Sequence, residues 1–237
     1  MTRRNIVIKF GGSLLFSEDY EINRKKIEEF CNILKNSKIS ENTVIVCGGG
    51  IIARKYIETV RTYSGNEALC DMIGIDLSRI NARLLIACLA EFAFPNIPSS
   101  IEELSTALLF KKIVVMGGLQ PGQSTTSVSL EVAEFIKAQK LVILTNVKGI
   151  YDKDPRLNRN AKVFKQISYN KLQDLILNSS GDNQAKAGEY RIFDSVSLQI
   201  LKRSNIEVVV TSGKELNEFR KYLSGKDDIE GTIISKV

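Results

Sequence analysis

The sequence contains no histidine and no tryptophan, and among its 237 residues there are only four cysteines and four prolines, with aromatics at 7%. Each scarcity removes chemistry. Without histidine there is no Ser-His-Asp or Cys-His arrangement and no imidazole general base. Catalysis must then rest on Lys, Arg, Asp, Glu, hydroxyls, backbone N–H groups and a bound metal. Cys31, Cys47, Cys70 and Cys88 form no CxxC pair, which disfavours a structural zinc site. Cys47 and Cys88 lie in apolar stretches and read as small core residues. The few aromatics offer no stacking platform for single-stranded nucleic acid. No apolar run approaches the ~18 residues of a membrane span. The basic start, MTRRNIVIKFGG, has too short an apolar run for a signal peptide. A soluble cytoplasmic protein is expected, with neither nucleic acid nor membrane as partner.

Hydrophobic residues make up 43% of the chain, enough for a substantial core. The net charge of +6 is spread along the sequence rather than gathered in a run, so it suits an anionic small ligand better than a polyanion. No repeat, linker or low-complexity segment divides the chain, and one domain over residues 1–237 is expected.

The organising stretch is NIVIKFGGS at 5–13. Ile6, Val7 and Ile8 are β-branched and predict a buried strand. Gly11 and Gly12 follow, where the backbone can turn sharply and approach a ligand. Lys9 sits at the strand's end, within reach of whatever the loop holds, and could neutralise charge in phosphoryl transfer. The pattern recurs. Thr43 to Cys47 predicts a second strand, Gly48, Gly49 and Gly50 follow, and a helix runs from 51 to about 63. A triple glycine before a helix clears side chains from an N-terminus that favours anions. Arg54 falls one turn in. A long helix over 71–92 has an apolar stripe of Ile73, Leu77, Ile80, Leu84 and Cys88, with Asp71 near its start and Arg79 and Arg83 on another face.

Residues 113–116 predict a third strand, which runs into GGLQPGQSTT at 117–126. This is nearly a Walker A loop, but Gln123 replaces the required lysine, and no acid ends the neighbouring strands. A P-loop enzyme is therefore discounted, although the glycines, hydroxyls and helix N-terminus still suit a phosphate. Residues 141–145 are a fourth strand. The loop 146–156 follows, with Tyr151 beside acids and the turn pair Asp154-Pro155. Helices are expected at 172–177, 189–201 and 214–223, and strands at 207–210 and 231–234. Strands alternating with helices predict an α/β fold, a mainly parallel sheet covered on both faces. Ligands in such folds sit at the C-terminal strand ends, where all four loops fall.

Taken together, IKFGGS, VCGGGIIARKYI, DMIGIDLSRINARLL, MGGLQPGQST and TNVKGIYDKDPR resemble, in order and spacing, the amino acid kinase superfamily, most closely its archaeal-type uridylate (UMP) kinases. AGEYRIFD and EGTII extend the likeness to essentially the whole chain. The resemblance implies a three-layer α/β sandwich whose N-terminal half takes the acceptor and whose C-terminal half takes ATP. It implies transfer of the γ-phosphate of ATP to UMP with Mg²⁺, in pyrimidine nucleotide (CTP) biosynthesis, by a homohexamer. By motif match Lys9 is the catalytic residue. Gly12, Ser13, Gly50 and Arg54 hold ATP phosphates, and Thr145, Tyr151 and Asp154 contact its base and ribose side. Gly49, Asp71, Leu119, Gln120, Pro121, Gly122, Gln123, Ser124 and Thr125 hold UMP. The metal-organising residues stay unassigned.

Two positions depart from the pattern. Lys148 stands where TNVDG is usual, and Thr126 stands where relatives often carry an acid thought to orient the catalytic lysine. Asp194 is one group that could take over that orientation. The missing histidine counts against the neighbouring isopentenyl phosphate kinases. A carboxylate or carbamate kinase, or a non-catalytic nucleotide binder, are the alternatives.

Overall fold

The structure is a computed structural model that describes residues 5–17, 19–37, 41–153, 155, 158–180, 192–226 and 228–236, without the side chains of 178–180. Its centre is a seven-stranded sheet. The strands are β1 (Ile6–Phe10), β2 (Thr43–Cys47), β3 (Val114–Met116), β4 (Lys140–Thr145), β5 (Gln166–Ser168), β6 (Glu207–Ser212) and β7 (Thr232–Ser235). The spatial order is β3-β2-β1-β4-β6-β7-β5. Five neighbours, β3 to β6 across that order, run parallel. β7 pairs antiparallel with β6, and β5 parallel with β7.

The helices are α1 (Arg24–Asn36), α2 (Gly50–Ser64), α3 (Glu67–Leu89), α4 (Ile101–Leu108), α5 (Thr125–Phe135), α6 (Tyr169–Ser180), α7 (Ser195–Ser204) and α8 (Asn217–Leu223). Strand alternation divides them between the two faces. Ile6, Ile8 and Phe10 of β1 point into a core with Phe30 and Leu34 of α1, Leu85 and Leu89 of α3 and Phe219 of α8. Val7 points the other way, into a core with Leu104 of α4, Val128 and Val132 of α5, Leu172 of α6 and Leu201 of α7. The result is the expected three-layer α/β sandwich. Lys9 shares the parity of Val7, so β1 directs it to the α5–α7 side. Among the described residues no helix is long and apolar enough to cross a membrane.

Three expectations change. The stripe read along α3 is not its buried face. Ile80 is 56% exposed, whereas Cys70, Ser78, Asn81, Ala82, Leu85 and Leu89 are buried. That face keeps helical spacing but mixes small and polar residues, because part of it meets loop backbone rather than apolar side chains. Second, α4 and β5 do not stand out in the sequence: β5 has three residues and one buried side chain, and α4 is short, capped by Ser100. Third, two helices start late. α7 begins at Ser195 because Asp194 caps it, with residues 189–191 outside the described set, and α8 begins at Asn217.

Phe30 is fully buried between Phe10, at 4.4 Å centroid to centroid, and Phe219, at 5.5 Å. It joins β1, α1 and α8. Phe30→Ala is expected to cost about 3–5 kcal/mol of unfolding free energy, read from urea or guanidinium denaturation midpoints. Loss of less than about 1 kcal/mol would show that α1 and α8 repack around the gap.

Candidate active site

Because β3, β2, β1 and β4 run parallel, their C-terminal ends and following loops share one edge of the sheet. The edge is stitched by backbone. Gly11 N–H donates to Leu144 O at 2.9 Å, Gly48 N–H to Phe10 O at 3.0 Å, and Gly213 N–H to Thr145 O at 2.7 Å. Thr145 itself is buried beneath this edge. The first two glycine loops touch. A Cβ on Gly12 would lie 2.2 Å from Gly50 N and 2.6 Å from Gly48 O, and Gly50 has φ +74°. Only glycine fits at either place. Ser13 lies partly exposed in the 3-10 turn Gly12–Leu14 that follows β1. Gly49 stands at the start of α2 with no side-chain cap, leaving the first N–H groups of that helix to an anion.

α3 holds two of these loops. Asn81 Nδ2 donates to both Gly48 O and Gly49 O at 2.9 Å. Ser78 Oγ accepts from Gly118 N at 2.7 Å. Arg79 donates from Nε to Gly118 O at 3.0 Å and from Nη2 to Leu119 O at 3.3 Å. Asp71 Oδ2 accepts from Gly122 N at 2.8 Å. So Asp71 bonds the backbone of the loop 117–124, and Ser78 and Arg79 of the same helix share that work while Asn81 holds the other loop.

Within that loop Leu119 packs on the core, while Gln120, Pro121 and Gly122 are exposed. Ser124 caps α5, accepting from Ser127 N at 3.1 Å, and Thr125 opens the helix. Gln123 Nε2 donates to Glu131 Oε2 at 3.0 Å. Its Oε1 is buried and, among the described residues, has no hydrogen-bond partner. Thr126 is buried at 2% exposure.

On the β4 and β6 side lies a cleft of about 890 Å³ lined by Arg54, Asn146, Lys148, Tyr151, Lys214 and Glu230, among others. It unites Arg54 and Tyr151 from opposite halves of the sequence. Lys148 forms an exposed ion pair with Glu230 at 3.7 Å. Asp154 lies outside the described residues. Lys9, Gly12, Ser13 and Gly50 stand at the adjacent strand and helix ends rather than in the cleft lining.

Lys9 is partly buried, and desolvation lowers its pKa from 10.5 to about 8; the Cys47 thiol and the Asp194 carboxylate pull the other way. Cys47, fully buried, is pushed up to about 12, with Lys9 and the Gly48 N–H opposing. It is a core thiol, not a nucleophile.

Sequence reasoning missed Ser78 and Asn81, and assigned Arg79 no work in the site. Their signal was polar character at helical spacing beside Ala82, Leu85 and Leu89, visible only once the apolar stripe is abandoned.

A lysine at a strand end, paired glycine loops and two helix N-termini on one parallel edge define a phosphoryl-handling α/β protein. A family model described as the amino acid kinase family matches residues 4–212, and the chain belongs to that family. It is 40% identical to a uridylate kinase of Methanobrevibacter smithii over 231 residues, 98% of this chain and 99% of the relative. It is also 40% identical to one of Methanocaldococcus jannaschii over 232 residues, 97% and 98%. The crystal structure of uridylate kinase from Archaeoglobus fulgidus superposes with a TM-score of 0.77 at 31% identity, covering 97% of this chain and 99% of that one. The UMP kinase of Ureaplasma parvum shares the fold, with a TM-score of 0.78 at 24% identity over 100% of both chains.

Asn81→Ala removes the donor to one buried and one partly buried carbonyl. We expect a loss of about 1–3 kcal/mol in stability and faster amide exchange at Gly48, Gly49 and Gly50. Unchanged exchange there would mean that the glycine contact alone holds the loop.

Proposed function

We propose that this chain transfers the γ-phosphate of ATP to UMP, giving UDP and ADP, in pyrimidine nucleotide (CTP) biosynthesis. The observation that carries this reading is the near-full-length identity to archaeal uridylate kinases, taken with the gathering of Lys9, the glycine loops and the α2 and α5 N-termini on one edge. The chemistry suits the residues. Phosphoryl transfer needs positioning and charge neutralisation above all. A phosphate oxygen of UMP is already a nucleophile, so a chain without histidine loses nothing.

In this reading Lys9 neutralises the moving phosphoryl group. Gly12, Ser13, Gly50 and Arg54 hold the donor phosphates, and Thr145, Tyr151 and Asp154 serve the base and ribose side. UMP lies against Gly49, Asp71 and the residues Leu119 to Thr125. The N-terminal half then serves chiefly the acceptor while its glycine loops and Arg54 hold the donor phosphates, and the C-terminal half serves the base and ribose side of ATP, within one domain. Among the described residues no three carboxylates or thiols converge on a metal position. Mg²⁺ of nucleotide enzymes is held largely by phosphates and water rather than by an all-protein cage. The cation would travel with ATP and offset the charge of its phosphates. We also infer a homohexamer: the packed helices α2 and α3 expose Tyr56, Tyr63, Leu69, Met72 and Ile80, large apolar side chains that assembly would cover. Four free cysteines suit a reducing cytoplasm.

The test is ADP release with MgATP and UMP, CMP, dUMP or N-acetylglutamate as acceptor. Turnover with UMP, nearly to the exclusion of the others, is the expected result. Binding of both nucleotides by folded protein without turnover would instead indicate a non-catalytic member, with Thr126 and Lys148 its marks. Lys9→Ala is expected to lose most activity with its thermal unfolding little changed. A fully active variant would remove Lys9 from the chemistry.

The charged form of Lys9 is the useful one, and its pKa is about 8 in the free protein. kcat/KM should therefore hold below pH 8 and fall above it. Bound phosphates favour the ammonium, so the fall in kcat should come at higher pH than the fall in kcat/KM. A kcat/KM profile flat to pH 10 would contradict this.

A further inference from the structure

Among the described residues Asp194 is the one charged side chain buried in the protein, at 5% exposure. A carboxylate withdrawn from water needs compensation. Part of it is local. Asp194 caps α7, its Oδ1 accepting from Ser197 N at 2.7 Å. Ser127 Oγ, from α5, spans both carboxylate oxygens at 3.0 and 3.3 Å. The dipole of α7 adds a favourable field. These contacts account for an N-cap, but not for an acid. Asn caps a helix as well as Asp does, and an amide would not carry a buried charge.

The position of Lys9 accounts for the acid. β1 turns Lys9 toward the α5–α7 side, and Asp194 sits at the start of α7, tied to the first turn of α5. Among the described residues the remaining surroundings of Lys9 are poor in charge. β2 contributes the neutral thiol of Cys47. β4 carries its charge, Lys140, at the other end, in register with Ile6. On α5, Glu131 falls about one turn beyond Ser127 and accepts from Gln123, and Glu134 falls about two turns beyond it and pairs with Arg203. Arg54 of α2 faces the cleft.

We propose that the Asp194 carboxylate, strapped by Ser127 and Ser197, is the buried counter-charge that positions Lys9 and keeps its ammonium protonated. It is a positioning residue: it acts on Lys9 through space and touches neither substrate. Ser127 follows Thr126 directly, so the strap starts from the helix whose acid is missing. The proposal rests on the reading of Lys9 as the phosphoryl-neutralising group only for its consequence in catalysis. The coupling between the two residues can be measured without turnover.

Lysines of the full chain are dimethylated with ¹³C-formaldehyde and followed by NMR against pH, the Lys9 signal being assigned by its loss in Lys9→Arg. In Asp194→Asn the cap survives and the charge goes. Lys9 is then expected to titrate lower than in the parent by at least about half a unit, with thermal unfolding little changed. Asp194→Glu, which keeps the charge, should return most of the shift. An unmoved Lys9 titration in folded Asp194→Asn would overturn the proposal and leave Asp194 as a cap alone. If that variant does not fold, Ser127→Ala, which leaves the Ser197 bond in place, should give a smaller shift in the same direction, and no shift would again overturn it. The alkaline fall of kcat/KM with UMP should move with the NMR titration. A titration that moves while the activity profile stays still would leave the coupling standing and remove Lys9 from the chemistry.

Discussion

The site depends on a contact that involves no side chain at all. Gly12 and Gly50 bring the loops after β1 and β2 so close that a single methyl group would overlap backbone. This closeness puts the end of β1, with Lys9, beside the start of α2. A helix N-terminus and a lysine act on one anion only if they are within a few ångströms of it, since their fields fade quickly outside a low-dielectric pocket. The glycines are therefore a geometric requirement of the electrostatics. The parallel pairing of β1 and β2, in register from Ile6↔Thr43 to Phe10↔Cys47, ends both strands at the same height and makes the contact possible.

A backbone contact of this kind leaves carbonyls with nowhere to go, and α3 answers that need. Asn81 takes the two carbonyls of Gly48 and Gly49, while Ser78, Arg79 and Asp71 take the N–H and C=O groups of the loop after β3. One helix thus fixes two loops relative to each other. The cost is a buried face that gives up apolar area for polar groups, acceptable because each is hydrogen-bonded.

These two facts mark what could be read from the chain alone. β1, β2, β3 and β4 and the loops after them were visible because β-branched runs ending in glycine are a local pattern, and the loop positions of Gly12, Gly49, Gly50 and Gly122 came with them. Asp71 was visible through its motif, although its partner, Gly122 N, was not. The work of Ser78, Asn81 and Ser127 was not legible, because each side chain bonds to a group 33 to 67 residues away. Periodicity reports which residues avoid water, and it took Ile80 for core because it cannot distinguish a face turned to loop backbone from one turned to apolar side chains. The antiparallel β7 escaped for a similar reason: a four-residue strand carries no sign of its direction.

Charge in the two halves of the site is handled differently, and burial decides how. Asp194 is buried and Lys9 partly so, and in such surroundings a neighbouring charge is screened less than it is in water. The cleft on the β4 and β6 side is open. Among the described residues Arg54, Lys148 and Lys214 line it together with Glu215, Glu218 and Glu230, three cations against three acids. Lys148 and Glu230 remain 66% and 73% exposed while paired, and such a pair is worth about 0–1 kcal/mol. An entering polyphosphate needs to displace only that weak attraction to recruit the lysine.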